Sequence, residues 1–584
     1  MVGKLSGEVN NTPDLVACQG PFRLEEEGSW YDACPRVGKP DPALLVPAPN
    51  CTLPIRFRGD RDLKKLLIFL ACAACLSGQE LDPAKLLVPG TDSWPNYNGD
   101  YSGRRYSPLT QINQSNVGSL TLRWAFQTHG TPALSATPLE VNGIIYFTLT
   151  NDVFAIDGRT GRQIWHINRP AAGGLPGAGH RGVAMYKDRL YYAAPDAMLL
   201  CLDARTGKTL WQVQLADPTL KAFGSAAPLV VKDHLIVGIS GDIADLPGWV
   251  EARDPMTGKL QWRWDSEPKQ GEPGWDSWPH DTDVINRGGG MTWLTGTYDP
   301  ELNLVYWGTG NPHPVEAGDA RPGANLYTCS IVALDADTGR MKWYFQISPH
   351  DTHDWDAIQT PVLIDGTFQG KARKMVAQAS RNGVFALLDR TNGESLVTAP
   401  YLNINWMNGV DEHGQPIPKK ETEPQLDGAL ARPGAAGGSN WAPPSFDPET
   451  GLLYTTARES TGLYYVTMPS KNAEGWAGRD FILHSKTLLV AIDFQTGKVR
   501  WSKDMSGGRG GWAGVLTTAG RLLFTANDGG SLMALDPATG ETLWHTYGGG
   551  GATTAPMTYE LDGRQYVIMP SDSVVYAWTL PDRR

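Results

Sequence analysis

One short pattern recurs along this chain and constrains its fold more than any other feature. It is a mostly apolar pair, an Asp, three residues, a Gly, three residues and a Trp. It reads AIDGRTGRQIW to Trp165, CLDARTGKTLW to Trp211, ARDPMTGKLQW to Trp262, ALDADTGRMKW to Trp343, AIDFQTGKVRW to Trp501 and ALDPATGETLW to Trp544. LLDRTNGESLV is a degenerate copy ending at Val397, and LTLRW, ending at Trp124, is the tail of another. Each copy reads as a hairpin: a strand ends at the Asp, the Gly supplies a positive φ in the turn, and a second strand carries the Trp. Eight such hairpins cannot each bury a face alone. Stacked radially they can, so the expected fold is all-β, an eight-bladed β-propeller. The last strands, TYELDGRQYVIMPSDSVVYAWTL, are expected to complete the blade of Trp124 and close the ring. Trp262 and Trp343 are 81 residues apart, and Val397 and Trp501 are 104 apart. Such gaps exceed the ~40–45 residues of a compact propeller repeat. Insertions are therefore expected at one mouth of the channel, where they shape a site.

Composition agrees. A chain of 584 residues is too long for one ordinary core, and 66 Gly with 43 Pro favour short strands and turns over long helices. A net charge of −11 gives a nucleic acid or an anionic membrane nothing to grip. Five of the seven Cys precede residue 76, and residues 61–79, RDLKKLLIFLACAACLSGQ, read as a signal peptide: basic start, apolar Leu66–Leu76, small residues at the end. The apolar run is too short to span a bilayer. The expectation is a doubtful N-terminal extension at 1–60, a signal at 61–79, a single propeller at 80–584, and export to the periplasm. No Cys-x-x-Cys-His occurs, so no covalent c-type haem is expected in this chain.

From NYNGDYSGRRYSPLTQIN near residue 97 to the C-terminus, the chain resembles the pyrroloquinoline-quinone (PQQ) dehydrogenases, eight-bladed quinoprotein alcohol dehydrogenases. The repeat alone does not decide function, because a non-catalytic lipoprotein of outer-membrane assembly carries similar hairpins. Local motifs do. SPHDTHDWD (348–356) places Asp354 where the resemblance implies the catalytic base. Asp356 would share one cation with Asp354 if the stretch is extended. A second carboxylate at this offset resembles the lanthanide-dependent branch; Ca²⁺ is the alternative. GTGNPHP places Asn311 as a metal ligand. GGGMTW offers Trp293 as an aromatic floor beneath the flat quinone. SRNGVF carries Arg381, implied to lie near the reactive carbonyl, and GHRGVA carries Arg181, implied to clamp a cofactor carboxylate. Ser225, Ser240, Gly241, Asn440, Trp512 and Gly514 fall where the family contacts its cofactor.

Three departures stand out. The sequence GGLPGAGHRG leaves no place for the adjacent cysteines many relatives have before the Arg clamp. The third carboxylate ligand is Asp242 or Asp245, with Asp242 favoured, since Ile243 holds the strictly aligned position. RPGAN has Ala324 where relatives often have Asp. The resemblance implies oxidation of a small alcohol by hydride transfer to metal-bound PQQ, with electrons passing to a separate cytochrome c. Sugars, polyols or aldehydes are alternative substrates, and a non-catalytic binding propeller is the alternative class. Substrate size and oligomeric state are not legible.

Overall fold

The computed structural model describes residues 79–582, apart from 129–133, 170–178, 218, 242–245, 469–470, 472, 509–510 and 552–553. The signal peptide and extension expected before residue 79 lie outside the described residues, except for Gln79 itself. Eight antiparallel sheets, each built on four strands, follow one another along the chain. Seven are sequence-local, at 139–168, 184–214, 229–265, 297–346, 362–400, 445–504 and 516–547. The eighth joins Met557–Leu561, Arg564–Ser571 and Val574–Thr579 to Thr121–Gln127, so both ends of the propeller share one blade. The fold is the β-propeller the repeat predicts. Among the described residues helix is limited to short 3₁₀ turns, and no helix is long and apolar enough to cross a membrane.

The repeat is an interlock between neighbours. Its Asp closes an Asx turn: Asp335 Oδ1 accepts from the Thr338 amide at 3.1 Å and the Thr338 hydroxyl at 2.8 Å. Its Gly and its Trp then serve different interfaces. Gly339 (φ +69°) lies so close beneath the ring of Trp262, one blade back, that a Cβ would sit 2.4 Å from it. The same indole donates Nε1–H to the carbonyl of Ala336 at 2.9 Å. Trp124 with Gly161, Trp165 with Gly207, Trp343 with Gly393 and Trp501 with Gly540 repeat the contact. The degenerate copy fits the same scheme, for Val397 and Ala399 cover Gly497 in place of an indole. At the closing blade no turn Gly exists, and Trp544 instead packs edge-on against Trp578 with centroids 5.0 Å apart.

Antiparallel order also sorts the loops. The start of a blade's first strand, the end of its second, the start of its third and the end of its fourth all meet at one rim. The Asp-Thr-Gly turns lie at the other. The long excursions, 266–296, 309–329 and 401–444, all leave from the first rim. So does the extension of the sixth blade's middle hairpin, Leu452–Val466 with Gly478–Asp493.

Before the first full blade, Tyr106–Ser107 pairs in parallel with Thr517 and Thr518. Arg105 is wholly buried and donates to the carbonyls of Tyr97 (2.6 Å), Val515 (3.1 Å) and Pro556 (2.5 Å), tying the entering segment to the last two sheets.

Candidate active site

Every described candidate from the sequence lies at the excursion-bearing rim. Arg181, Ser225, Trp293, Asp354, Asp356, Asn440, Trp512 and Gly514 precede the first strands of their blades, while Ser240, Gly241, Asn311 and Arg381 follow second strands. These positions are adjacent in each antiparallel pair, which is how residues 181 to 514 reach one end of one channel.

Arg381 is the hub. Its Nη2 donates to Asp354 Oδ2 at 2.5 Å and its Nη1 to Asp356 Oδ2 at 2.8 Å. Nε and Nη2 also hold the carbonyl of Ala435 at 3.0 and 2.8 Å. Its own amide bonds Gln359 Oε1 at 3.2 Å. Arg381 is 8% exposed, Asp354 8% and Asp356 1%, so this is a buried, charge-assisted fork. Asp356 accepts two further bonds, from the Asn311 amide at 2.7 Å and from Trp293 Nε1 at 3.1 Å. Burial raises the Asp356 carboxyl above the usual range, against the pull of Arg381 and these donors. The two carboxylates do converge, though not as an extended strand would bring them. The backbone at Asp354 is left-handed, φ +62°, and 351–356 is a folded loop. Asp351 fixes that loop by accepting from the amides of Trp355 (3.0 Å) and His353 (3.4 Å). Its own carboxyl is pushed by burial up to about 6.

A second string of contacts runs from Trp293. Its carbonyl accepts from Ser225 Oγ at 3.1 Å, and Ser225 and Ser240 share a hydrogen bond at 2.5 Å between their hydroxyls. Arg181 lies over the Trp293 ring at 5.7 Å and over Trp441 at 4.1 Å. Burial draws its guanidinium down to about 10, still protonated at neutral pH. Arg181 Nε is buried and meets no acceptor among the described residues. Gly438 donates to the carbonyl of Arg381 at 2.6 Å, which brings the 434–441 segment and Asn440 against the hub. Asn440 turns its side chain on its own segment, to Ala436 O at 3.1 Å and the Trp441 amide at 2.9 Å. Trp512 carries Arg458 over its ring at 4.3 Å. At Gly514 a Cβ would stand 2.5 Å from that of Ala555, which gives this glycine a packing role. Gly241 is buried beside Ser240. Asp242 and Asp245 lie outside the described residues.

The donor set suits a hard cation and a flat polyanion. Asp354, Asp356 and the side-chain carbonyl of Asn311 offer the oxygen ligands such a cation takes. Arg181 keeps an unsatisfied buried donor, and the partly exposed Trp293 and Trp441 offer aromatic faces. Trp441 was not among the residues singled out from sequence, although it directly follows Asn440 and could have been read as an aromatic beside a cofactor contact. Gln359 and Ala435 carry no local signal, since one acts as an acceptor and the other through its carbonyl.

Comparison with known proteins gives a consistent result. A family model described as the glucose/ethanol/alcohol dehydrogenase β-propeller domain of PQQ enzymes matches residues 94–421 and 490–567. A quinohemoprotein alcohol dehydrogenase of Comamonas testosteroni is 37% identical over 528 residues, covering 84% of this chain and 73% of the relative. Quinoprotein alcohol dehydrogenase PedH of Pseudomonas putida is 33% identical over 562 residues, covering 88% and 91%. Among solved structures, the Comamonas testosteroni quinohemoprotein alcohol dehydrogenase superimposes with a TM-score of 0.81 at 32% identity, covering 88% of this chain and 84% of that one. A europium-containing methanol dehydrogenase gives 0.78 at 27%, covering 85% and 99%.

Proposed function

Because the chain belongs to the PQQ-dependent alcohol dehydrogenase family of β-propellers, we propose that it oxidises a small alcohol at the Asp354–Asp356–Arg381 cluster, using PQQ and one lanthanide ion in the periplasm and passing electrons to a separate cytochrome c. One observation carries this reading: a single buried guanidinium forks to two carboxylates, one of which also binds the indole of Trp293.

Bound PQQ supplies the carbon that accepts the hydride. The chain does the rest. Arg181 pairs with a cofactor carboxylate through its free Nε donor, and Trp293 with Trp441 presents flat apolar faces that exclude water. Asn311, Asp354 and Asp356 hold the cation, with a further carboxylate from Asp242 or Asp245. Asp354 Oδ takes the hydroxyl proton of the alcohol. An ordinary Asp, with a pKa of about 3.9, is a weak base, so its contribution comes from the position the left-handed loop and Arg381 impose. Arg381 keeps positive charge beside the place where negative charge grows during transfer.

The extra charge of Asp356 favours a trivalent ion over Ca²⁺. Dye-linked turnover should appear with La³⁺ or Ce³⁺ after reconstitution with PQQ; turnover with Ca²⁺ alone would overturn the lanthanide assignment. Asp354→Asn should lower kcat by at least about 10³-fold while still taking up PQQ, as read from quinone absorbance. Asp356→Ala should damage the lanthanide form more than any Ca²⁺ form.

A further inference from the structure

Arg321 is wholly buried, and the four hydrogen bonds of its guanidinium all end on neutral oxygens. Nε donates to Pro314 O at 2.9 Å, Nη2 to Val315 O at 2.8 Å and to Asp351 O at 2.5 Å, and Nη1 to Asn325 Oδ1 at 2.8 Å. The acceptors belong to different parts of the site. Pro314 and Val315 continue the excursion that carries Asn311. Asp351 opens the loop that ends with Asp354 and Asp356. Both segments leave the fourth blade, one between its second and third strands and the other after its fourth, and no strand pairing joins them. Besides Arg321, they are joined by the Asn311 amide on Asp356 and by the Ala357 amide on the carbonyl of Thr309 at 2.9 Å. Around the arginine, 318–325 closes on itself: Asn325 Nδ2 returns to the carbonyl of Arg321 at 3.0 Å, and the amide of His350 bonds Ala324 O at 3.3 Å.

A buried guanidinium without a carboxylate partner costs desolvation that an apolar filler would avoid. What it offers instead is a rigid planar fork with a fixed spacing between three carbonyls. We infer that Arg321 is a positioning residue for the reaction: it holds the Asn311 segment and the Asp354 loop at the one separation at which their oxygens take a cation together. The inference rests on the metal role proposed for those residues, and it deepens that role by naming what sets the ligand spacing. Arg321 touches none of the reacting atoms.

Arg321→Lys keeps the charge and most of the stem but replaces the fork with a point donor. In the protein free of metal and PQQ, titration with La³⁺ alone, followed by calorimetry, should show affinity reduced about 10- to 100-fold, the usual effect of removing a group that orients ligands. In the reconstituted enzyme kcat should fall about 10-fold or more while KM stays within about threefold, because substrate contacts are untouched. Hydrogen exchange on the metal-free protein gives a reading that does not depend on loading. Residues 312–316 and 351–356 should exchange faster together in the variant, while Ser330–Asp335 and Lys371–Ala379 keep wild-type protection. Cation affinity and kcat within twofold of wild type, with unchanged exchange in both loops, would overturn the inference. So would a uniform loss of protection across the blades in Arg321→Lys and in the apolar Arg321→Met alike. If the wild-type chain takes up neither La³⁺ nor Ca²⁺, the metal proposal falls, and the exchange comparison alone decides whether Arg321 joins the two loops.

Discussion

Glu140 shows how burial sets the behaviour of one residue in this fold. It lies in the innermost strand of the first blade, wholly buried, with Oε1 accepting from the amide of Gly143 and Oε2 without a partner. Burial pushes its carboxyl up to about 8, so the acid is protonated at neutral pH. The unfolded chain releases this proton near pH 4.3, whereas the folded chain keeps it until about 8. Across that window the native state binds more protons, and stability falls as pH rises. Glu140→Gln removes the titration and keeps the acceptor. Its thermal midpoint should differ little from wild type near pH 5, exceed it increasingly towards pH 8, and level off above that. A constant difference across that range would mean the carboxyl is ionised in the fold. At the same scale, the site residues are legible because their types are chemically restricted. An Asp pair, a nearby Arg and a Trp announce themselves, whereas the carbonyl of Ala435 does not.

The hairpin repeat makes a sharper demand of its elements. Gly339 needs its positive φ for the turn and its missing Cβ for the Trp262 ring. Gly339→Ala meets both penalties and should cost about 2–4 kcal/mol, read from denaturant midpoints. Trp262→Phe keeps an aromatic ring but loses the Nε1–H bond to Ala336, and about 1–2 kcal/mol should follow. If the two substitutions add independently, the contact between them is not the interlock described, because touching residues should couple. The sequence pattern already contained both halves of this device. It did not show that they belong to different interfaces. A Gly and a Trp four residues apart look like partners within one hairpin, and only the stacking of neighbouring sheets assigns each to the blade on its other side.

Over the whole molecule, closure depends on a blade made from both ends of the described fold. Thr121–Gln127 pairs with Val574–Thr579 along six residue pairs, and Trp578 covers Trp544 where the repeat supplies no glycine. Removing residues 574–584 should leave Thr121–Gln127 without its partner strand and expose the seventh blade. The truncated chain should lose its single cooperative melting transition and bind hydrophobic dyes, whereas Trp578→Ala should retain the transition with stability lower by about 3–5 kcal/mol. An intact, cooperative truncated protein would show that the ring does not need this strand.

The amino-acid sequence by itself determined the architecture. The spacing of Asp, Gly and Trp specifies a hairpin, and eight hairpin marks leave few ways to bury their faces, so the blade count and the closing partner of Trp124 follow from local chemistry and solvent exclusion. It also named the chemistry-bearing side chains, because few residue types can bind a hard cation, clamp a carboxylate or stack on a flat ring. Only the tertiary structure decided how those side chains meet. Arg381 reaches Asp354 and Asp356 together because the loop before the fifth blade turns left-handed instead of extending, and Arg321 reaches two separate loops of the fourth blade through backbone carbonyls. Carbonyls are the same in every residue. A contact made to them leaves no mark in the sequence, and only the closed ring brings it into being.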